Sequence, residues 1–327
     1  WRGDVLLRYA LNKSLNIPAI EVLQTIGFDA AIDRSAALLG ITDPGEIRRR
    51  FPRNFPLALG TVSVSPAQMA KAYATFANSG KTVDPYGIKF IENQKGAIII
   101  NIEDEMQQKL YSPNNTIMSP QDAYIMTNLL ETTITLGTLH YGYTQLENGY
   151  DGMAMAGKTG TSDNWKDSWT VGYSPYVTTS LWYGFDGGSS SLGQNNNGAV
   201  LAGLVWSKYM KEIHKNLPKK EFYRPSGIIE RTICSVSGDL KTQKCPTSRR
   251  EVFKAGTEPS QFCTYHSYAE EYTEDSIMKI MDSIRVEASP ENSMPAFNFD
   301  RFLFDDYNNS ITTPEEDFDD SFSDILD

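Results

Sequence analysis

The sequence predicts an α/β protein of the α+β kind, an antiparallel sheet flanked by helices, and three observations carry that prediction. Strand-like runs cover 152–161 and 169–185, with a turn at 164–167 between them. Ahead of them, cap signals and Gly/Pro punctuation divide the chain into several amphipathic helices. Behind them, residues 198–213 read as an apolar helix that closes the region. Helices grouped around consecutive strands bury one face of an antiparallel sheet. The 327 residues suffice for one large domain with appendages or for two domains, and 40% hydrophobic content supports a proper core.

Taken in order, residues 5–11 form a short apolar helix running into Asn12-Lys13-Ser14-Leu15-Asn16-Ile17-Pro18. Pro18 biases Ile17 away from the α region, so residues 14–16 are expected in a loop between helices. Helices follow over 19–26 and 30–39, closed by Gly27 and Gly40. Arg48-Arg49-Arg50 reads as a solvated charge run. Ser65-Pro66-Ala67-Gln68 is a capping box with proline at the first helical position, opening a helix to about Asn78. Met69, Ala72, Tyr73 and Phe76 share one face of it, a core pattern. Residues 88–102 alternate as strands around a turn at 93–96, and Ser119-Pro120 opens a second capped helix to about Thr133. Residues 137–151 and 187–197 read as loops. Residues 216–267 carry all three cysteines among Pro and Gly turns, and 268–327 is an acidic tail, expected to be disordered apart from a helix at 274–286.

The net charge of −11 belongs to that tail. It holds 17 acidic and 3 basic residues, leaving 24 acidic and 27 basic in residues 1–267. Neither part has the concentrated basic face of a nucleic-acid binder, so no nucleic-acid partner is expected. The longest apolar runs, 97–102 and 199–206, fall short of the ~18 residues of a membrane span. The first residue is Trp1 and leads straight into a helical pattern, which suggests the middle of a longer protein, with any anchor or export signal upstream. Cys263-x-x-His266 is a fragment of a zinc pattern, but no second close ligand pair accompanies it, so no metal is expected. No cofactor is expected either.

The chemistry concentrates in Ala156-Gly157-Lys158-Thr159-Gly160-Thr161. Glycines let a ligand approach the backbone, while a lysine and hydroxyls supply a cation and short donors for an anion. Alone, Lys158 could be a solvated strand lysine, Ser14 a helix-terminal cap and Asn16 a turn residue. Together, Ser14-Leu15-Asn16 and Lys158-Thr159-Gly160 are two of the three elements, S-x-N and K-T-G, of the serine penicillin-recognising enzymes. The surroundings agree: Tyr9-Ala10-Leu11 and Ile17-Pro18-Ala19 beside the first element, Leu57-Ala58-Leu59-Gly60 and Phe76-Ala77-Asn78-Ser79-Gly80 after it. Asp167, Trp169, Gly172-Tyr173, Pro175, Trp182, Gly184 and Asp186 follow the second. Over residues 3–213 the chain resembles the transpeptidase domain of class A (bifunctional) penicillin-binding proteins. Cys245-Pro246, Gly256-Thr257-Glu258-Pro259 and Cys263 resemble the tail behind that domain in some of them.

The resemblance implies a serine β-lactamase/penicillin-binding transpeptidase-like fold, truncated at its N-terminus. It divides the chain into a partial transpeptidase domain at 1–215, a cysteine-containing appendage at 216–267 and the tail at 268–327. It implies peptidoglycan D,D-transpeptidase chemistry, acyl transfer from D-Ala-D-Ala stem peptides, with β-lactams as mimics. Ser14, Asn16 and Lys158 would be catalytic, and Thr159, Gly160 and Thr161 would bind substrate. The implied partners are stem peptides, glycan strands derived from lipid II, β-lactams and other cell-wall synthesis proteins. The implied location is extracytoplasmic, on the outer face of the cytoplasmic membrane. In that compartment thiols oxidise, so a Cys245–Cys263 disulfide is expected, with Cys234 free. One departure stands out. The family's S-x-x-K nucleophile should precede S-x-N by several tens of residues, yet only thirteen residues precede Ser14 and none form it. Ser276-Ile277-Met278-Lys279 fits the string but follows K-T-G, and Ser162-Asp163-Asn164 is a decoy S-x-N abutting it. The alternative is a non-catalytic module of the same fold with a structural or interaction role in the envelope.

Overall fold

Residues 3–188 and 190–266 are described by a computed structural model of the chain. The acidic tail, the helix expected at 274–286 and the Ser276–Lys279 string lie outside the described residues.

Near the N-terminus, helices α1 (Leu7–Asn12) and α2 (Asn16–Ile26) are separated only by a turn, Lys13 to Leu15. The sequence places Asn16 in a loop and starts the next helix at 19; the helix instead begins at Asn16, with Pro18 inside its first turn. The first N–H groups of a helix have no intrahelical partner, so a proline there costs nothing. Helix α3 (Phe28–Leu39) ends at Gly40 in the left-handed conformation, and α4 (Pro44–Arg50) is capped by Asp43. The arginine run sits in the last turn of α4, where basic side chains suit the dipole. Arg50 there is no solvated charge: it pairs with Glu46 and reaches the Ser63 carbonyl and the Gln68 amide oxygen.

Helix α5 (Pro66–Ala77) opens on the expected capping box, both of whose reciprocal bonds form: Gln68 N–H donates to Ser65 Oγ at 3.2 Å, and Ser65 N–H donates to Gln68 Oε1 at 3.1 Å. Strands β1 (Phe90–Glu92) and β2 (Ile98–Asn101) pair antiparallel, and Asn101 caps α6 (Ile102–Tyr111). The sequence reading omits α6, because its short amphipathic run follows a strand without a break. Helix α7 (Pro120–Thr135) and the short α8 (His140–Thr144) come next.

The central sheet has three antiparallel strands in the order β3 (Ala156–Thr161), β4 (Asp167–Tyr173) and β5 (Thr178–Gly184). The run at 169–185 is thus a hairpin rather than one strand. It folds back at Ser174, whose N–H donates to the Val177 carbonyl at 2.9 Å and whose hydroxyl accepts from the N–H groups of Tyr176 and Val177. Strand alternation places Ala156, Lys158, Gly160, Val171 and Tyr173 on one face and Gly157, Thr159, Thr161, Thr170 and Gly172 on the other. The first face packs on α5 and α7: Leu130, Ala156 and Tyr173 are buried together with Tyr73, Phe76 and Met126 against them. Tyr173 Oη bonds Thr127 Oγ1 at 2.8 Å, which satisfies a phenol with no exposure to water. The second face carries α9 (Gly203–His214), entered through a π-helical turn at Gly198–Ala202. Trp206 of α9 lies so close to Gly172 that a Cβ there would meet its ring at 2.4 Å. A glycine in a strand often marks such a close approach.

The appendage contains an antiparallel pair that turn chemistry alone does not reveal, β6 (Ile228–Cys234) and β7 (Ser248–Lys254). It is pinned to α1 and α7 through Arg8, which is 3% exposed. The guanidinium donates to Glu251 Oε2 at 2.8 Å and to the Asn128 carbonyl and side-chain oxygens at 2.6 Å each, with a further bond to Glu251 Oε1. The expected Cys245–Cys263 disulfide is not formed; all three cysteines are free and buried, and they cluster together. Compartment and resemblance select one pair of sulfurs, whereas the fold brings the third thiol and His266 to the same point. Among the described residues no helix is long and apolar enough to cross a membrane.

Candidate active site

Lys158 lies on β3, at the edge of the three-stranded sheet, and its ammonium donates to Ser14 Oγ at 2.7 Å and to the Thr159 carbonyl at 2.9 Å. The two side chains are 144 residues apart in sequence. Burial holds the Lys158 pKa down to about 8, because desolvation disfavours the charged form. An amine so placed gives and takes protons close to neutral pH.

Ser14 is held by the turn between α1 and α2. Its N–H donates to the Leu11 carbonyl, and Leu15 N–H to that of Ala10. With φ of 55°, Ser14 sits in the left-handed region, a conformation that costs a non-glycine residue energy and that surrounding structure must hold. Asn16 follows as the first residue of α2 and is exposed. The turn is fastened to the segment between α7 and α8. Gly137 passes so near Asn12 that a Cβ would lie 2.5 Å from the Asn12 carbonyl, which accepts from Thr138 N–H at 3.0 Å. Lys13 Nζ reaches the Leu136 carbonyl at 2.7 Å.

The threonines of the K-T-G-T run occupy the other face of the strand. Thr159 Oγ1 donates to Thr138 Oγ1 at 2.7 Å, and Thr161 Oγ1 accepts from Gly198 N–H at 2.9 Å. Thr161 is exposed and its own hydroxyl proton remains for a ligand. Gly160 lies against Trp169, and Gly198 packs on it so tightly that a Cβ on Gly198 would sit 2.4 Å from the Gly160 carbonyl oxygen. Ser162, the decoy, is used locally: its hydroxyl donates to Asp167 Oδ2 and accepts from Asp167 N–H, closing the turn between β3 and β4.

The expected residues therefore divide. Ser14 and Lys158 are in contact, Asn16 stands two residues on from Ser14, and Thr159, Gly160 and Thr161 line the same strand with Thr159 engaged internally. Three contributors escape a reading by motif. Thr138 receives Thr159, Gly198 holds Thr161, and Asn12 is buried with its side-chain carbonyl unpaired beside the Ser14 turn. The glycine at 198 offers a faint sequence signal, since it opens an apolar helix where residues with better helix propensity are expected. Nothing in the sequence marks Thr138 or Asn12.

The arrangement joins a depressed-pKa amine to a serine hydroxyl, with an exposed amide side chain nearby and, along the strand, a threonine hydroxyl whose proton is uncommitted. Such a set can pass a proton to or from a reacting group while its neighbours hold an anionic, amide-bearing ligand.

Comparison with known proteins gives an independent view. The family model for the penicillin binding protein transpeptidase domain matches residues 3–185, and that for the penicillin-binding protein 1A C-terminal domain matches residues 224–268. Penicillin-binding protein 1A of Aquifex aeolicus is 32% identical over 262 residues, covering 80% of this chain and 33% of that protein. That of Pseudomonas aeruginosa is 31% identical over 294 residues, covering 77% of this chain and 34% of the relative. The chain thus spans about a third of the length of these curated relatives. Among solved structures, penicillin-binding protein 1A from Haemophilus influenzae superposes with a TM-score of 0.65 at 28% identity, covering 79% of this chain and 41% of the other. The PonA1 protein from Mycobacterium tuberculosis in complex with penicillin V shares the fold with a TM-score of 0.54 at 24% identity.

Proposed function

The chain belongs to the penicillin-binding protein transpeptidase family, and from that premise we propose that it carries the S-x-N and K-T-G sides of a peptidoglycan D,D-transpeptidase site. The observation that carries the proposal is the 2.7 Å contact between Lys158 Nζ and Ser14 Oγ, two motifs remote in sequence and joined in space. In the first half-reaction a serine attacks the penultimate D-Ala carbonyl of a stem peptide. The attacking hydroxyl gives its proton to the lysine of its own motif, a C–O bond forms, the C–N bond to terminal D-Ala breaks, and the leaving nitrogen needs a proton. Ser14 supplies it from its hydroxyl and is recharged by Lys158, whose lowered pKa makes the transfer inexpensive at neutral pH. In the second half-reaction the amine of another stem attacks the acyl carbon, and a C–N bond forms as the C–O ester bond to the serine breaks. The amine's proton returns to the Ser14–Lys158 pair, and the serine oxygen recovers its proton from the lysine of its own motif. Asn16 holds the substrate amide with its two-sided side chain. Thr161 takes the terminal carboxylate with its hydroxyl, beside Gly160 and beside Thr159, whose hydroxyl would first have to turn from Thr138, and the Thr161 N–H is one of the two oxyanion donors. β-Lactams enter as mimics of D-Ala-D-Ala.

The partners follow from this chemistry: stem peptides on lipid II-derived glycan strands, β-lactams and other proteins of wall synthesis. The site operates at the outer face of the cytoplasmic membrane. No S-x-x-K string precedes Ser14 in this sequence, so no residue here is assigned as the nucleophilic serine or its lysine. We expect the polypeptide alone to form no covalent adduct with penicillin. Incubation with a labelled β-lactam and denaturing electrophoresis tests this. A labelled band that disappears on Ser276→Ala would overturn the expectation that no residue of this chain is the acylated serine.

A further inference from the structure

The four potential ligands Cys234, Cys245, Cys263 and His266 converge in the appendage, with their ligand atoms all within 4.8 Å of one another. We propose that they form a structural zinc site of the Cys3His type. A tetrahedral zinc with Zn–S of about 2.3 Å and Zn–N of about 2.0 Å holds its ligand atoms roughly 3.5–3.8 Å apart. His266 Nδ1 lies 3.3 Å from Cys263 Sγ and 3.6 Å from Cys234 Sγ, close to that spacing. The three thiols are buried, and none is bridged to another.

Only Cys263 and His266 are close in sequence; backbone pairing brings in the others. Leu240 bridges Ile233 on one side and Phe262 on the other. Cys234 N–H donates to the Asp239 carbonyl at 2.8 Å, and Cys263 N–H to that of Leu240 at 2.9 Å. Those bonds set Cys234 and Cys263 side by side. Cys245 arrives on a turn whose N–H returns to the Thr242 carbonyl, while Ser235 N–H pairs with the Thr247 carbonyl. The sulfurs also receive donors: Val236 N–H points at Cys234 Sγ and Thr242 N–H at Cys245 Sγ, each at 3.4 Å. Amide donors aimed at sulfur offset the negative charge of thiolates, as outer-shell groups around a metal do. A disulfide would use two sulfurs and leave a buried third thiol and a histidine with no common purpose. One divalent ion uses all four.

The site lies at the end of β6, and its partner strand β7 carries Glu251, the residue that holds Arg8 of α1. The turn after α1 presents Ser14. Metal binding therefore fastens the hairpin that braces one side of the candidate active site. It also keeps the thiols coordinated where free ones would oxidise.

The test is metal analysis of the full chain purified without chelator, by elemental mass spectrometry and thiol titration. The expected result is one zinc per chain, three thiols unreactive until a strong chelator is added, and loss of the stoichiometric zinc in Cys263→Ala. Replacement by cobalt should give the visible bands of a tetrahedral thiolate complex. His266→Cys, which retains four ligands, should keep the metal, and His266→Ala should release it to a competing chelator that the parent resists. A chain isolated with no zinc and unable to take up cobalt, or one with two cysteines recovered as a disulfide, would overturn the proposal.

Discussion

Replacing Arg8 by methionine should be among the most damaging single changes outside the candidate active site. Arg8 and Glu251 are 3% and 12% exposed, and the guanidinium makes bonds to Glu251 and Asn128 that water cannot replace. Breaking a buried pair by removing one partner costs about 3–5 kcal/mol, because the remaining charge stays buried. Arg249 Nε is 3.3 Å from Glu251 Oε2 and offers partial compensation, so the low end, about 3 kcal/mol, is expected. Arg8→Met/Glu251→Leu, which removes both charges, should cost less than Arg8→Met alone, since replacing a whole buried pair by apolar groups is often near neutral. Urea unfolding of both variants at neutral pH, followed by tryptophan fluorescence, measures the difference at constant slope. The sign with pH is fixed as well. Burial pushes the Glu251 carboxyl up, but the Arg8 hydrogen bonds and charge, the Val252 N–H and Arg249 together hold it below its ordinary value. That stabilisation is present above the unfolded-state pKa and lost as pH falls through the lower folded one. The gap between parent and Arg8→Met should therefore narrow in acid. A loss under about 1 kcal/mol in Arg8→Met, or a double variant as costly as the two single changes added together, would refute the reasoning.

Glu131→Gln should stabilise the protein at pH 8, by about 1–3 kcal/mol, and have little effect at pH 4. Burial, then the charge of Glu221, raises the Glu131 carboxyl to about 7, so the parent is favoured below the ordinary value of 4.5 and loses that advantage as pH rises through 7; equal effects at both pH values would contradict this. Gly198→Ala should cost about 1–3 kcal/mol, because its Cβ would meet the backbone carbonyls of Gly160 and Trp169 at 2.4 and 2.6 Å; urea unfolding no different from the parent would show that the contact yields. Lys158, observed by NMR of labelled lysine side chains, should titrate at about 8 rather than at the ordinary 10.5, and a titration at the ordinary value would remove its proton-shuttling role.

How much the sequence could show depended on the kind of constraint. Helices α5 and α7 announce themselves through Ser65-Pro66 and Ser119-Pro120, since a cap and a proline act locally. The convergence of Ser14 with Lys158 was legible because a known chemistry requires both motifs at one centre. The hairpin at 167–184 was half legible: its apolar run is continuous, and the return at Ser174 rests on a side-chain hydroxyl that composition does not flag. Pro18 misled because the rule against proline holds for a helix interior and not for its first turn. Arg8, Thr138 and Gly198 act across the fold, and their roles depend on partners that periodicity cannot supply. The cysteines show the same limit. Spacing exposes the Cys263–His266 pair only, and the bridges of Leu240 to Ile233 and Phe262 bring Cys234 alongside it.

The account's central claim is that Lys158 and Ser14 work together on an acyl-transfer centre completed by a separate S-x-x-K serine. It is tested most directly by joining to this chain the S-x-x-K segment of a class A penicillin-binding protein, in its family order ahead of Ser14, and measuring the rate of covalent labelling by a fluorescent penicillin. The account predicts a label on the supplied serine, formed at a rate that falls by about 10²-fold or more in Lys158→Met and in Ser14→Ala, the scale of a lost proton-transfer partner. Labelling at an undiminished rate in both variants, with the fold intact by circular dichroism, would contradict it.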